Sequence, residues 1–152
     1  MNNGRLNYMD QALTEAKQAG NSGEVPVGAV IVDRISGEII SRAGNRTERD
    51  KDPSAHAEIL AIRAACARLE TTRLPECDLY VTLEPCPMCA TAISFARIRV
   101  LYFGAYDPKS GGVEQAPHIF DQPTCHHRPE VYGGIEETKA AKLLRDFFQA
   151  RR

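Results

Sequence analysis

The segment His56-Ala57-Glu58, followed about thirty residues later by Pro85-Cys86-Pro87-Met88-Cys89, constrains this chain more than any other feature. One histidine and two cysteines can hold a zinc ion and leave a fourth tetrahedral position open to water. A glutamate two residues from the histidine can then carry protons to and from that water. A structural zinc is normally closed by four protein ligands, so three donors beside a free carboxylate describe a hydrolytic centre. The competing reading is a structural zinc closed by Cys125, His126 or His127, which would leave Glu58 without a task.

The rest of the chain sets the frame for this site. Its 152 residues suit one compact domain, so a single domain over 1–152 is expected. A hydrophobic share of 43% with 26% charged residues is that of a globular protein, which argues against disorder. No apolar run approaches the ~20 residues of a membrane span, and the start MNNGRLNYMD lacks a secretory apolar stretch. A cytoplasmic protein with no membrane partner is expected. Five cysteines, two of them in a CxxC, fit metal binding better than a disulfide framework. Cys66 and Cys77 read as core thiols. A net charge of −1 argues against nonspecific coating of nucleic acid, though not against a few phosphate contacts. Arg42, Arg46, Arg49 and Lys51 form one basic cluster and Arg151 with Arg152 another; each reads alone as a solvated surface.

Periodicity places the elements. Tyr8 to Ala19 has helical spacing and Gly20 supplies a stop; Val27–Val32 and Glu38–Ser41 form a hairpin around the turn formers 33–37. Arg42 to Asp52 reads as a loop. Asp52 or Ser54 is expected to cap a helix running to about Leu69. Asp78–Leu83, Pro87–Ala96 and Arg99–Phe103 read as strand, helix and strand, a parallel βαβ unit. The stretch from Gly104 to Pro129 has no clear period, Glu130–Tyr132 reads as an edge strand, and a helix carrying Leu143, Leu144, Phe147 and Phe148 closes the chain. Both phenylalanines read first as core residues of that helix, with stacking on a base as the alternative.

This pattern implies a specific geometry. On a helix flank His56 and Glu58 would point to nearly opposite sides, so they converge only at a metal lying beyond the helix start. Cys86 and Cys89 share one face of a second helix that also begins there. Helix amino termini lower cysteine pKa and favour negative charge, which suits thiolate ligands. In the expected reaction Glu58 takes a proton from zinc-bound water and passes it to a ring nitrogen while hydroxide attacks the amino-bearing carbon. It then protonates the departing ammonia.

The order H-x-E…P-C-x-x-C is the known signature of zinc nucleobase deaminases. The flanking segments go further: Glu24-Val25-Pro26-Val27-Gly28-Ala29, Gly44-Asn45-Arg46, Ala55-His56-Ala57-Glu58-Ile59, Leu83 to Cys89, Ala92-Ile93, Arg97-Ile98, Tyr102 to Ala105, Asp107-Pro108-Lys109 and Leu143 to Phe148. Through them the chain resembles, over nearly its full length, the bacterial tRNA-specific adenosine deaminase family. The resemblance implies a three-layer α/β/α cytidine-deaminase-like fold with a mixed sheet of about five strands and helices on both faces. It implies one zinc per subunit, a homodimer, and conversion of the wobble adenosine to inosine in the anticodon loop of a tRNA, chiefly an arginine acceptor. DNA is not expected as a partner.

By the same likeness Asn45 would hold the purine, Val27 and the Ala57 backbone would line the pocket, and Glu84 would frame the base. Asp107 and Lys109 would touch neighbouring nucleotides, and Phe148, Arg151 and Arg152 would hold the loop from the last helix. Ser54 departs from the threonine of many relatives, and both can cap. Two rivals stand beside this reading. One is a deaminase of free guanine, cytosine or cytidine on the same fold, because such a centre attacks any amidine-type carbon. The other is a noncatalytic, zinc-stabilised RNA-binding subunit, against which the free Glu58 argues.

Overall fold

A computed structural model describes residues 3–151. Helix α1 (Asn3–Asn21) leads into strands β1 (Gly28–Asp33) and β2 (Ile39–Gly44). Helix α2 (Ala57–Leu69), strand β3 (Cys77–Leu83), helix α3 (Pro87–Phe95) and strand β4 (Val100–Ala105) follow. The chain ends with a 3₁₀ turn at Ile119–Asp121, strand β5 (Glu130–Tyr132) and helix α4 (Glu137–Gln149). The sheet order is β2-β1-β3-β4-β5. β1 is antiparallel to β2 and β3, while β3–β4 and β4–β5 are parallel. The expected five-stranded mixed sheet and its β3-α3-β4 unit are therefore present.

Alternation along the strands builds the layers. Ala29 and Ile31 face a core shared with Ala57, Ala61 and Ala65 of α2 and with Ala90 and Ile93 of α3. Their neighbours Val30 and Val32 face the opposite core, with Met9, Ala12 and Leu13 of α1 and Ala140 of α4. Successive strand residues point to opposite faces, so a fully buried strand feeds both layers. The result is α1 and α4 on one face and α2 and α3 on the other. Full burial of a side chain such as Ile31, Leu101 or Phe103 stabilises by roughly 1.5–3 kcal/mol. Gly28 lets α1 lie close on β1, since a Cβ there would sit 2.0 Å from the Ala12 carbonyl oxygen. Cys77 is buried and Cys66 packs at the edge of the core, as expected of thiols without ligand duty.

Two boundaries and one burial depart from the pattern. β2 continues through Arg42 to Gly44, where a polar stretch suggested a loop. Here outward Arg42 alternates with buried Ser41, whose hydroxyl donates to the Ala61 carbonyl at 2.8 Å. Neither Asp52 nor Ser54 caps α2. Asp52 Oδ1 instead accepts the Ser54 N–H at 2.9 Å and the Ser54 hydroxyl at 2.7 Å, a local turn that competes with helix initiation. The helix starts later, with His56 as its N-cap. Finally, Phe147 and Phe148 are not core: Phe147 is half-buried and Phe148 is 50% exposed, because only Ala140 of α4 is fully buried against the sheet.

Candidate active site and metal centre

His56 and Cys86 occupy the same position in two different helices. Each is an N-cap in extended backbone, with φ −76° and ψ 152° at His56 and φ −70° and ψ 171° at Cys86. Pro87 follows at the first position of α3, where its missing N–H costs nothing. Cys89 then falls at the third position of α3 and Glu58 at the second of α2. The two helix starts face one another. His56 Nδ1 lies 3.7 Å from Cys86 Sγ and 3.5 Å from Cys89 Sγ, and the three donor atoms sit within 4.8 Å of one another. Among the described residues no other histidine, cysteine or carboxylate joins this group. In particular Cys125, His126 and His127 lie elsewhere: Cys125 Sγ is 3.4 Å from Ser94 Oγ, and His127 Nε2 is 2.6 Å from the Ile98 carbonyl. The trio is therefore a three-donor set.

Its electrostatics fit a divalent cation. Hydrogen bonding from Cys89, helped by His56, pulls the Cys86 thiol down to about 4. The same bond, with burial, drives Cys89 strongly upward, and the bond to Cys86 raises His56 above its usual range. These shifts arise because the three donors lie close enough to hydrogen-bond one another. Only thiolates and neutral imidazole ligate, so binding of a cation by such donors is coupled to proton release. Two soft sulfurs and one imidazole select zinc over calcium or magnesium.

Glu58 lies beside the trio and is 4% exposed. Burial pushes its carboxyl up to about 7, and the neighbouring Cys86 charge adds to that rise. A carboxyl that both gives and accepts a proton near neutrality is what general acid–base work requires.

The remaining candidates fall around this centre in different ways. Asn45 Nδ2 donates to the Val25 carbonyl at 3.1 Å, and its Oδ1 accepts the Ala57 N–H at 2.8 Å. Val27 is buried, and its carbonyl accepts the Asn45 N–H at 3.1 Å. Asp107 forms a tight turn in which Oδ1 accepts the N–H groups of Lys109 and Ser110 at 3.1 and 3.0 Å, leaving Lys109 exposed. Arg151 folds back over the Phe147 ring at 3.5 Å from its centroid, a cation–π contact, while Phe148 stays open. Arg152 lies outside the described residues. Of the upstream cluster, Arg46 binds both Asp50 oxygens, Arg49 lies 3.6 Å from Glu24 and Arg42 reaches Gln11.

Glu84 is 1% exposed, and its carboxylate is engaged by backbone N–H groups of residues 107 and 113–115. Another buried carboxylate, that of Glu24, has no role assigned by the sequence pattern. It accepts the N–H groups of Glu48 and Arg49 at 3.1 and 2.8 Å and so holds the loop between β2 and α2. Its one signal was an acid directly before the apolar Val25-Pro26-Val27.

This arrangement defines a class of protein, the hydrolytic deaminases of the cytidine-deaminase-like fold. Residues 3–105 match the family described as the cytidine and deoxycytidylate deaminase zinc-binding region. The chain is 57% identical over 148 residues to a tRNA-specific adenosine deaminase of Agrobacterium fabrum, covering 97% of this chain and 96% of the relative. It belongs to the tRNA-specific adenosine deaminase family. A solved structure from work on A-to-I editing by tRNA:A34 deaminases at the wobble position superimposes with a TM-score of 0.88 at 57% identity, covering 91% of this chain and 99% of that one. A guanine deaminase from Nitrosomonas europaea superimposes with a TM-score of 0.80 at 26% identity, over 92% of this chain and 82% of that one.

Proposed function

We propose that the chain, as a single deaminase domain, converts adenosine to inosine at the wobble position of a tRNA anticodon loop, chiefly of an arginine acceptor. The observation that carries this reading is the buried Glu58 carboxyl beside a three-donor set, in a chain 57% identical to a tRNA-specific adenosine deaminase. His56, Cys86 and Cys89 would hold one zinc per subunit. Bound there, zinc supplies an activated water for attack at adenine C6. Glu58 does the proton work: it would receive one proton from the water and place it on the ring nitrogen, then take the remaining hydroxyl proton and return it to the departing amine. Adenosine and water thus give inosine and ammonia.

The chain's other groups bind and orient. Asn45 and the Ala57 backbone border the base, with Val27 beneath. The Asp107–Lys109 turn meets neighbouring nucleotides, and Phe148, Arg151 and Arg152 meet the loop from the terminal helix. An unpaired loop is a fitting substrate, because turning out an unstacked base costs less than extracting it from a duplex. Met88 and Phe95, 39% and 68% exposed on α3, support a homodimer.

Incubation with an anticodon stem-loop, free adenosine, cytidine and guanine tests the substrate. Inosine in the stem-loop alone is the expected result. Conversion of guanine with an untouched stem-loop would instead favour the chemistry of the Nitrosomonas europaea neighbour.

A further inference from the structure

Glu84 lies between β3 and the metal-ligand segment, since Pro85 and Cys86 follow it directly. It is almost fully buried, and none of the ion pairs among the described residues includes it. Its partners are backbone N–H groups. Oε1 accepts from Asp107 at 3.0 Å, and Oε2 accepts from Val113, Glu114 and Gln115 at 3.2, 2.8 and 3.3 Å. Four N–H groups converging on one carboxylate resemble an anion-binding nest whose anion is supplied by the chain itself.

The loop between residues 107 and 115 is also pressed against the ligand segment. The Gly112 N–H donates to the Pro85 carbonyl at 2.8 Å. A Cβ on Gly111 would lie 2.5 Å from the Glu84 carboxylate carbon, and one on Gly112 would lie 2.7 Å from the Pro87 nitrogen. No side chain fits between the loop and the turn that presents Cys86. Asp107 is the hinge point of this arrangement. Its N–H is held by Glu84, and its carboxylate in turn holds the N–H groups of Lys109 and Ser110.

We propose that Glu84 is a positioning residue for RNA: its buried carboxylate sets where the Asp107–Lys109 turn stands relative to Cys86, and so where nucleotides beside the target base are held. This inference rests on the RNA reading given above. It places the effect of Glu84 on substrate binding, with little on chemistry, because the carboxylate is saturated by the loop and faces no reacting atom. A merely structural plug would lower stability and leave substrate affinity alone.

The test compares Glu84→Gln and Gly111→Ala with the wild-type zinc-loaded protein. Glutamine keeps the volume but offers one acceptor oxygen and turns an NH₂ toward backbone donors. The expected result has three parts: amide hydrogen exchange at 113–115 at least tenfold faster, KM for an anticodon stem-loop raised at least tenfold with kcat within threefold, and unchanged zinc per chain. Gly111→Ala, which drives a methyl into the same contact, should give the same split, and the double variant should be no worse than the worse single. If Glu84→Gln does not fold, Gly111→Ala alone carries the exchange and KM measurements. Wild-type exchange at 113–115, a loosened loop with unchanged KM, or simple additivity of the two changes would overturn the proposal and leave the RNA reading standing. Wild-type protein inert on the stem-loop would overturn the RNA reading, and this inference with it.

Discussion

The side chain of Asn45 caps α2 from outside the helix: its Oδ1 accepts the N–H of Ala57 at 2.8 Å, while its own amide donates to the Val25 carbonyl at 3.1 Å. The first N–H groups of a helix have no partner within it. His56, the residue in the cap position, makes no side-chain cap bond because its ring is turned to the cysteines. Asn45 therefore supplies what an N-cap turned toward the cysteines does not.

Asn45→Ala should reveal this. It leaves the buried Ala57 N–H without its acceptor, at a cost of about 1–3 kcal/mol. Thermal unfolding should shift down accordingly, and turnover should fall at least tenfold because the start of α2 carries both His56 and Glu58. An unchanged melting temperature would show that the bond does not hold the helix.

Glu58→Ala and Glu58→Gln should keep the fold and the zinc but lose about 10²–10⁴ in turnover, the usual contribution of a positioned general acid–base. Metal analysis alongside single-turnover kinetics separates the two effects. Activity within tenfold of wild type would remove Glu58 from the mechanism. Cys86→Ser and Cys89→Ser should behave oppositely, losing zinc first and activity with it.

Glu24 makes a pH prediction. Burial works to raise its carboxyl, but the N–H groups of Arg49 and Glu48 and the Arg49 charge outweigh it and hold the value below the ordinary 4.5. A carboxyl depressed in the folded state contributes stability that is fully present above about pH 4.5 and is lost as the pH falls through its folded value. Melting temperatures followed from pH 7 to pH 3 should fall more steeply for the wild-type protein than for Glu24→Gln. At pH 7 the substitution should cost about 1–3 kcal/mol, since hydrogen bonds to a charged group are lost. Parallel curves would show that Glu24 is not ionised in the fold.

Phe148→Ala separates a core role from a recognition role. The ring is half exposed, so its loss should change stability by no more than about 0.5 kcal/mol. Stacking of a base on an aromatic ring is worth about 1–3 kcal/mol, so KM for the stem-loop should rise by about fivefold or more. A large loss of stability with unchanged KM would return Phe148 to the core.

Much of the fold and the candidate cluster of His56, Cys86 and Cys89 was legible in the chain because both are written at short range. The Cys86–Cys89 spacing, the proline between them and the His56–Glu58 pair are local patterns, and short apolar runs reveal the buried strands β1, β3 and β4. What the sequence could not show lies at long range. Asn45 meets Ala57 across twelve residues, Glu24 holds Glu48 and Arg49 across 24 and 25, and Glu84 holds its loop across 23 to 31. Hydrophobic periodicity reports which way a side chain faces, and says nothing of which distant N–H a buried carboxylate will meet. The donor types of the candidate centre were thus set by residue type and spacing. The caps, the loops over it and the exposure of Phe148 were decided by packing, where each buried polar group had to find a partner wherever the sheet brought one within reach.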